Sequence, residues 1–599
     1  MKKSKKPMFI FSLIASSAVF YVINRLALVI TGMQDGSAIE KLLAAIDEVL
    51  PSITAEPMKL GTSNETLLAG LAGAAIIWLI FIYHAFGAKK YMHGKEHGSA
   101  EWGAPSDSAN FIDKNPLNNI ILTETEHLSM SGKMRRTKDD DYNRNKNTLT
   151  IGGSGSGKTW GYLTPNLMQM HSSYVITDPK GNLLRETGKM LQDNGYTIKT
   201  FDLINRGKSD KYNPFEYMRT ADDVLKLVNN LISNTNAPNS KTAGDFWEKS
   251  EIALLGAIFG YILFEVPKRS RTIATALEML RMAEVKEDNE DHVSPLDALF
   301  ATLKEEKPDS FPAKQYDIYK LAAGKTAKSI LISVGVRLAP FNIESIADIV
   351  SDDDLKLDMI GSEKTALFII LPDTDKSFNF LAAMMFQQMF DILVYKADNE
   401  YEGELPYHVR CLMDEFANIG QIPMFEILIS TVRSRGISMA IVLQSLAQIK
   451  SLYKETWEII TGNCDSLLYL GGMEQSTHEY ISKICGKATI DNRNINETRG
   501  QTGSYTLNNQ VLARDLITPD EVGGIKGTEC ILKIRNCKPF LSRKYNPQDH
   551  INYRQLYSAS KDNRFDPEQR GAGEAADFFK NVKEITELKI PEANAPAQN

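Results

Sequence analysis

Two long apolar stretches lie near the start of the chain. Residues 8–23 are uncharged and mostly apolar, and the run continues past Asn24 and Arg25 to residue 30. Residues 67–86 form a second run, in which only His84 titrates near neutral pH. Runs of this length predict two membrane-spanning helices. For the first run a cleaved signal peptide is the alternative, because residues 15–18 resemble a small-residue cleavage region.

The charges beside these runs predict their orientation. Lys89, Lys90 and Lys95 follow the second run, whereas the loop between the runs has six acidic residues and two lysines. Basic residues are in excess on the cytoplasmic side of membrane proteins, so both chain ends are predicted to lie in the cytoplasm. The second span would carry the chain inward even if the first were cleaved.

From residue 91 onward, short apolar runs alternate with helix-period segments. This rhythm predicts a parallel α/β nucleotide-binding core. The strand-like runs are 147–151, 174–177, 197–201, 366–371, 408–413, 438–443 and 466–470. Helical periodicity dominates from 218 to 342, for example at 223–232 and 247–264, and predicts an inserted all-α domain.

The predicted organisation has four parts. A membrane anchor with two transmembrane helices and a short external loop covers 1–90, and the nucleotide-binding domain covers 91–217 and 343–560. The all-α domain covers 218–342. The polar remainder, 561–599, is predicted to be a mobile tail with a short docking helix near 574–588.

Composition narrows the possible functions. The net charge of −7, from 68 basic and 75 acidic residues, argues against a general nucleic-acid-coating surface, so contacts with a polyanion must be local. Five cysteines without CxxC spacing argue against a disulfide framework or a structural zinc site. The nine histidines form no HExxH or facial-triad pattern, which argues against a catalytic metal held only by protein ligands.

One motif predicts nucleoside triphosphate binding. It follows the predicted strand 147–151 and has the full GxxxxGKT pattern of a Walker A loop: Gly152, Gly153, Ser154, Gly155, Ser156, Gly157, Lys158 and Thr159. Glycines let backbone N–H groups surround phosphate oxygens, and the following helix N-terminus adds a positive dipole. Lys158 is predicted to reach the β- and γ-phosphates, and Thr159 to ligate Mg²⁺.

Three later segments complete a hydrolytic site. Residues 408–415 resemble a Walker B strand, although Arg410 interrupts its apolar pattern; Asp414 is predicted to hold Mg²⁺ through water and Glu415 to orient the attacking water. Gln444 follows the strand 438–443, where a glutamine in RecA-like cores senses the γ-phosphate. Arg433, or alternatively Arg435, is placed to act as an arginine finger in a neighbouring subunit.

These motifs, taken in order, resemble the type IV secretion coupling proteins, the TraG/TraD-like conjugation ATPases. The resemblance covers most of the chain. It is carried by HGSAEWG at 97–103, the Walker A loop, PNL at 165–167, VITDPKG at 175–181, YNPF at 212–215, FW at 246–247, DEFANIG at 414–420, LQSLAQI at 443–449 and RDLITPDE at 514–521. Asp515 and Ile517 depart from the last family motif. The family's arginine finger falls on Arg433 only by its offset from Gln444, which leaves Arg435 open.

The resemblance implies a RecA-like P-loop ATPase that uses ATP and Mg²⁺ and assembles as a homo-hexamer. It implies a multi-pass protein of the bacterial cytoplasmic membrane with a large cytoplasmic part. It also implies delivery of a relaxase joined to single-stranded DNA, and of protein substrates in some cases, to the subunits of a type IV secretion channel. The all-α domain would then select substrates.

A protein that holds single-stranded DNA also needs local clusters of basic side chains. Three basic clusters are candidates, and a solvated charged face is the alternative for each. The clusters are Lys133 with Arg135 and Arg136, Lys268 with Arg269 and Arg271, and Arg543 with Lys544.

Two other functions fit parts of the pattern. An FtsK-type DNA translocase also joins membrane spans to a RecA-like motor, although it carries more spans, a long linker and a winged-helix domain. A nucleotide-binding docking receptor would leave the work to other ATPases, and an intact Glu415 argues against it. Which relaxase or effector is recognised, and whether ATP drives translocation or only admission, cannot be deduced from the sequence.

Overall fold

A computed structural model describes residues 6–86, 94–130, 144–236, 246–283, 293–322, 325–498 and 504–567. The chain divides into two compact units between Glu96 and His97. Each unit has its own fold.

The first unit is helical, with α1 (Lys6–Gly32), α2 (Ala38–Ala55) and α3 (Asn64–Phe86). Phe9–Gly32 and Asn64–Tyr83 are long and apolar enough to cross a membrane. α1 packs on α3 at close range, because a Cβ atom at Gly70 would clash with Phe20 and one at Gly73 with Ile23. Small residues permit this close approach of membrane helices, whose association depends on direct packing.

Two polar residues of α1 are hydrogen-bonded to the segment before α3 and to the first turn of α3. Asn24 donates to the carbonyl oxygens of Gly61 and Thr66 over 3.1 and 3.0 Å, and Arg25 donates to the carbonyl of Lys59 over 3.0 Å. Both side chains are buried. The loop between the spans contains α2, a helix that the sequence analysis does not predict.

Within the described residues of the second unit, thirteen strands form three sheets. The strands are β1 (Asn119–Ile121), β2 (His127–Ser129), β3 (Thr148–Ile151), β4 (Ser173–Thr177), β5 (Thr197–Asp202), β6 (Thr365–Ile370), β7 (Val409–Met413), β8 (Ile437–Leu443), β9 (Ser466–Tyr469), β10 (Lys487–Thr498), β11 (Ser504–Asp515), β12 (Glu529–Ile534) and β13 (Pro539–Arg543).

The main sheet has nine strands in the described part of the chain, in the order β13-β12-β9-β3-β8-β7-β4-β6-β5. The seven strands from β9 to β5 are parallel, and β12 and β13 extend the sheet in antiparallel fashion. All seven runs predicted as strands lie in the parallel part. The antiparallel edge is an addition that the sequence analysis does not predict.

Helices cover both faces of this sheet, as a parallel sheet requires. Along β4, Tyr174 and Ile176 face one apolar core and Val175 faces the other. The helices of the second unit are α4 (Pro105–Ser108), α5 (Thr164–Met168), α6 (Asn182–Asp193), α7 (Ala221–Thr235), α8 (Phe246–Glu265), α9 (Ile273–Arg281), α10 (Pro295–Glu306), α11 (Phe311–Lys320), α12 (Lys325–Leu338), α13 (Glu344–Ile349), α14 (Asn379–Asn399), α15 (Phe425–Thr431), α16 (Leu446–Tyr453), α17 (Trp457–Gly462), α18 (Gln475–Cys485) and α19 (Pro519–Gly523).

The described residues between 218 and 342 contain α7 to α12 and no strand. Leu227 of α7 and Ile258 of α8 belong to the same apolar core as Leu367 of β6. The helical insertion is therefore fused to one face of the sheet by a shared core.

A long antiparallel ribbon, β10 with β11, forms a separate two-stranded sheet and pairs Lys487 with Asp515 at its base. The backbone N–H of Ala100 donates to the carbonyl of Lys487 over 2.9 Å, so the segment after residue 97 lies beside this base. The sequence analysis does not predict the ribbon. The helix it predicts near 574–588 lies outside the described residues.

Candidate nucleotide site

The phosphate-loop motif connects β3 to the helix that follows. Gly155 and Gly157 have φ angles of +74° and +88°, a region that side chains with a Cβ atom rarely adopt. A Cβ atom at Gly152 would clash with the hydroxyl of Ser156 and lie 3.1 Å from the Cβ of Leu470. The glycines are thus required by the path of the loop, which exposes backbone N–H groups for phosphate oxygens.

The helix after the loop opens with a π-helical turn over Lys158–Leu163 and continues as α5. Pro165 explains the wide turn, since it has no N–H group and its ring would clash with the carbonyl of residue 161 in a regular α-helix. Thr164 donates both its backbone N–H and its hydroxyl, at 3.0 Å, to the carbonyl of Thr159. Such π-turns occur often at functional sites.

Lys158 lies between the phosphate loop and Glu415. Its Nζ donates to the carbonyls of Gly152 and Gly153 over 2.8 and 3.2 Å, and lies 3.6 Å from Oε1 of Glu415. The side chains of Lys158 and Glu415 are only 8% and 15% exposed. This lysine is therefore shielded from bulk water, where its charge acts strongly on a bound phosphate.

Thr159 and Asp414 meet directly, because β3 and β7 end at the same edge of the sheet. The hydroxyl of Thr159 donates to Oδ2 of Asp414 over 2.9 Å. The pKa of Asp414 is raised to about 6, mainly by burial; the hydrogen bond from Thr159 opposes this rise and the nearby charge of Glu415 adds to it. A buried carboxylate beside another acid and a hydroxyl is a donor set that suits a hard cation, so these residues fit Mg²⁺.

Glu415 has a left-handed backbone, with φ +49°. Non-glycine residues in this region cost about 1–3 kcal/mol and are concentrated at functional sites. Oε1 of Glu415 accepts a hydrogen bond from Nε2 of Gln444 over 3.0 Å, and the backbone N–H of Gln444 donates to Oε1 of Gln448 over 2.9 Å. The structure thus brings Lys158, Glu415 and Gln444 into one connected group.

These residues line a cavity of about 700 Å³ at the carboxyl ends of the parallel strands. That edge is where ligands bind in open α/β sheets. The cavity also has lining residues to which the sequence analysis gives no individual role, although several lie in the family motifs: Asp178, Lys180, Asn182, Asp373, Lys376, Asn418 and Gln448. Lys180 and Lys376 add positive charge to a site for a polyanion. Their position just after β4 and β6 is the signal that would have found them.

Asp178 caps the start of α6 at this edge of the sheet. Its carboxylate accepts from the backbone N–H groups of Asn182 and Leu184 over 3.0 and 2.9 Å, at the first turn of α6. Burial raises its pKa although these backbone donors oppose the rise. Asp178 therefore fixes the start of α6 against the cavity.

The two candidate arginine fingers differ in their surroundings. Arg435 donates to both carboxylate oxygens of Asp398 over 2.8 and 2.7 Å. Arg433 is exposed and lies just before β8, whereas Gln444 follows the other end of that strand. At about 3.3 Å per residue, seven strand residues separate the two positions by roughly 20 Å. Arg433 is thus remote from the phosphate loop of its own chain.

The basic clusters predicted for DNA have different outcomes. Lys268 forms an ion pair with Glu216 at 2.9 Å, and Nε of Arg271 donates to the carbonyl of Val266 over 2.9 Å. Nζ of Lys544 donates to the carbonyl of Ser156 over 2.9 Å, so this lysine supports the phosphate loop. Lys133, Arg135 and Arg136 lie outside the described residues.

Arg410, which interrupts the apolar pattern of β7, is fully buried. Its guanidinium donates to the carbonyl of Lys146 over 2.9 Å and to the hydroxyls of Ser438 and Tyr162 over 3.1 and 3.3 Å. The strand is a central one despite its charged residue, because the oxygen acceptors come from β8, from the residues before β3 and from the helical turn after the phosphate loop.

In the parallel sheet the phosphate loop follows β3, Gln444 follows the adjacent strand β8, and Asp414 with Glu415 follow β7, the strand after that. This arrangement defines a RecA-like P-loop NTPase. The sequence profile described as "Type IV secretory system Conjugative DNA transfer" matches residues 107–554. The chain belongs to this family, the type IV secretion coupling proteins, and is a P-loop ATPase of that class.

Individual relatives agree with this assignment. Two Escherichia coli proteins, both named conjugal transfer protein TraG, are 26% and 24% identical to the chain over 484 and 496 residues. The first alignment covers 76% of this chain and 74% of the relative, and the second covers 78% and 76%. The unbound monoclinic form of bacterial conjugative coupling protein TrwBdeltaN70 is 14% identical with a TM-score of 0.53, over 76% of this chain and 98% of that one, and shares the fold.

Proposed function

We propose that the chain is a membrane-anchored, ATP-driven coupling protein that binds MgATP in the cavity at the carboxyl ends of its parallel strands. Two contacts carry the proposal: the hydrogen bond from Thr159 to Asp414 and the ion pair of Lys158 with Glu415. Thr159 and Asp414 are 255 residues apart in the sequence. Nucleotide binding requires the loop and Lys158, whereas hydrolysis requires the acids as well.

The residues divide the chemistry as follows. Loop N–H groups within 154–159 and Nζ of Lys158 bind the phosphates, and Lys180 and Lys376 add charge at the rim of the cavity. Thr159 and Asp414 would hold Mg²⁺, which neutralises phosphate charge when bound. Glu415 orients the attacking water and accepts its proton. Gln444, hydrogen-bonded to Glu415, detects the terminal phosphate through the same carboxylate.

We assign the arginine finger to Arg433 as part of this proposal. About 20 Å of strand separates this residue from the phosphate loop side of its own sheet, which supports a role at the nucleotide of a neighbouring subunit. Arg435 is the alternative, and its Nε and Nη2 donate to the two carboxylate oxygens of Asp398. Family membership supports a homo-hexamer, in which each site is completed by the next protomer.

The substrate is proposed from the family and its named members. Conjugal transfer proteins imply a relaxase joined to single-stranded DNA as cargo and a type IV secretion channel as destination. The helices between 218 and 342 would select the substrate. Two N-terminal helices would anchor the chain in the cytoplasmic membrane, with both ends inside, as the flanking lysines predict.

A paired assay tests this function. Full-length protein in detergent should hydrolyse ATP, and cells that carry Glu415→Gln in place of the natural chain should lose conjugative DNA transfer. Tyr407→Ala, an exposed change before β7, is the control that should keep both activities. Normal DNA transfer by Lys158→Ala cells would instead favour a docking receptor that does not use ATP.

A further inference from the structure

The helix α2, which joins the two candidate membrane spans, has an apolar face that is open to solvent. The side chains on this face are 44–72% exposed, and they are Ile39, Leu42, Leu43, Ile46 and Leu50. They share one side of the helix, because residues three, four and seven positions apart lie on the same face. Single exposed apolar residues are ordinary, whereas a contiguous patch marks a site that binds protein or lipid.

The adjoining edge of α2 is already used inside the unit. Ala45 and Val49 are buried, and α1 is the helix on which α2 packs. The apolar side of α2 is therefore wider than its contact with α1 requires, and its exposed part is available to a second partner.

Hydrogen bonds at both ends hold α2 beside α1. Near its start, Nζ of Lys41 donates to the carbonyl of Met33 over 2.7 Å. Near its end, the guanidinium of Arg25 donates to the carbonyl of Ser52 and, over 3.0 Å, to its hydroxyl. The apolar face is thus presented in a fixed orientation.

The spacing of the exposed residues predicts a helical partner. Ile39, Leu43, Ile46 and Leu50 are separated by four, three and four positions, which is the alternation of d and a positions in a coiled coil. The isoleucines occupy d and the leucines occupy a. This choice favours assemblies of more than two helices, which suits a subunit with a neighbour on each side.

The polar side of α2 argues against a lipid surface as the partner. Amphipathic helices that lie on a membrane carry Lys and Arg on the polar side. In α2 this side carries three acids, Glu40, Asp47 and Glu48, against one base, Lys41. A protein partner therefore fits the charge of the helix better than a membrane does.

The charges beside the a and d residues select a parallel arrangement. Glu40 and Asp47 occupy the e positions, and Leu42 and Val49 occupy the g positions. Parallel helices place e beside g of the neighbour, so that no two carboxylates meet. Antiparallel helices place e beside e, where these carboxylates repel one another. Copies of one membrane protein insert in the same orientation and offer the parallel geometry.

We propose that the face formed by Ile39, Leu43, Ile46 and Leu50 binds α2 of a neighbouring copy of this chain in parallel. The inference rests on the proposed membrane anchoring and ring assembly and deepens them, because it adds a contact between subunits on the side of the membrane opposite the nucleotide sites. With 18 residues, α2 is too short to associate stably in water alone. Anchored copies meet at a high effective concentration, which removes most of that cost.

Cysteine cross-linking of the full-length protein in its membrane tests this contact. Leu43→Cys and Ile46→Cys place a thiol at a and at d, whereas Ala44→Cys and Glu48→Cys place one on the exposed polar side and are the matched controls. A parallel contact brings equal positions within disulfide distance, so copper phenanthroline should give about tenfold more covalent dimer at a and d than at the controls. The unsubstituted chain gives the background, since its five cysteines all lie in the second unit.

A second substitution separates the contact from mere proximity of the anchors. Leu43→Asp, combined with Ile46→Cys, should lose most of the covalent dimer, because a charge at a is expelled from an apolar contact. Ala44→Asp, combined with the same cysteine, should keep it. MgATP binding, which depends on the second unit, should be unchanged in both proteins.

The size of the full-length complex, extracted together with its lipids, is measured in parallel. If the natural chain is a ring but Leu43→Cys and Ile46→Cys link no better than the controls, this contact is wrong and the ring assembly stands. If these thiols stay unlinked and also resist a membrane-impermeant maleimide that labels Ala44→Cys, the face lies in lipid and the proposal is overturned. If the natural chain is a monomer, the proposed ring falls and this inference falls with it.

Discussion

The side-chain amide of Asn234 pairs with both backbone groups of Gln421. Oδ1 of Asn234 accepts from the N–H of Gln421 over 2.9 Å, and Nδ2 donates to its carbonyl, also over 2.9 Å. Asn234 lies in α7, the first helix of the helical insertion, and Gln421 ends the segment that begins with Asp414 and Glu415. The insertion is thus joined by hydrogen bonds to the loop that carries the acids.

Asn234→Ala should destabilise this junction. Loss of two hydrogen bonds to the backbone is expected to lower the free energy of unfolding by about 1–3 kcal/mol. Gly420→Ala should cost a similar amount, because Gly420 has φ +94° and a Cβ atom there would lie 2.8 Å from Oδ1 of Asn234. Denaturant unfolding of the full chain measures both. Gly335→Ala, inside α12 with open space around it, is the control and should be neutral or stabilising.

Lys158→Ala and Glu415→Gln should separate binding from hydrolysis. Without its ammonium group the loop loses the main cation for the β- and γ-phosphates, so Lys158→Ala should weaken ATP binding. Glu415→Gln keeps the size of the side chain but cannot accept a proton, and should lower kcat by about 10²–10⁴-fold with little change in affinity. Nucleotide titration and steady-state ATPase assays measure these effects. Equal loss of binding in both variants would contradict the assigned roles.

Asp414→Asn should stabilise the protein in the absence of nucleotide. The pKa of Asp414 is raised from 3.8 to about 6, so the folded state binds this proton more tightly than the unfolded state does. Stability from this group is therefore present at low pH and is lost as pH rises from about 4 to about 6, and at neutral pH the loss is about 3 kcal/mol. Asp414→Asn avoids that cost and should raise Tm at pH 7.

The same variant should lose the stabilisation that MgATP gives. The control is Asp398→Asn: the hydrogen bond from Arg435 lowers the pKa of Asp398, so its neutral replacement should not raise Tm. Thermal unfolding from pH 4 to pH 8, with and without MgATP, measures all three proteins. A Tm for Asp414→Asn below that of the natural chain at pH 7 would contradict the predicted direction.

Arg433→Ala should abolish most ATPase activity as a pure protein and regain part of it when mixed with Glu415→Gln. In a mixed ring, some interfaces combine an intact Glu415 from one subunit with an intact Arg433 from the other. An arginine finger contributes about 10³–10⁵ in rate, so even a minority of restored interfaces is measurable. Arg435→Ala is the matched control and should remove only a surface ion pair. If the mixture stays inactive, Arg433 does not act between subunits.

The meeting of the phosphate loop, Asp414 and Gln444 at one edge of the sheet could be predicted from the sequence, because the pattern that marks each of them is local. Eight consecutive residues define the phosphate loop, and Asp414 and Gln444 each follow an apolar run, so parallel strands deliver them to one edge. Lys180 lies in the family motif at 175–181 but has no individual role there, and Lys376 lies in no motif. Their role depends on which strand ends face the cavity, and that is decided by strand order.

Other elements were missed for physical reasons that differ. The helix α2 had a readable signal, since Ser37 and Glu40 form a capping box at its start. The sequence of the ribbon β10–β11 gives little indication of strands, because residues such as Asn492 and Asn494 break any alternation of apolar and polar side chains. The two strands are paired by backbone hydrogen bonds to each other. The strand β7 was predicted although Arg410 interrupts its apolar pattern, but the burial of Arg410 could not be predicted, because its acceptors on Lys146 and Ser438 are distant in sequence.

The separation between Thr159 and Asp414 in the sequence also sets a delay during synthesis of the chain. A ribosome that adds about 5–20 residues per second needs roughly 13–50 s to make the 255 residues between them. During that interval the nascent polypeptide carries a phosphate loop with no acid opposite it and a half-built sheet with an unpaired β3. The nascent chain therefore cannot hydrolyse ATP until its late strands have been made and have paired with the early ones.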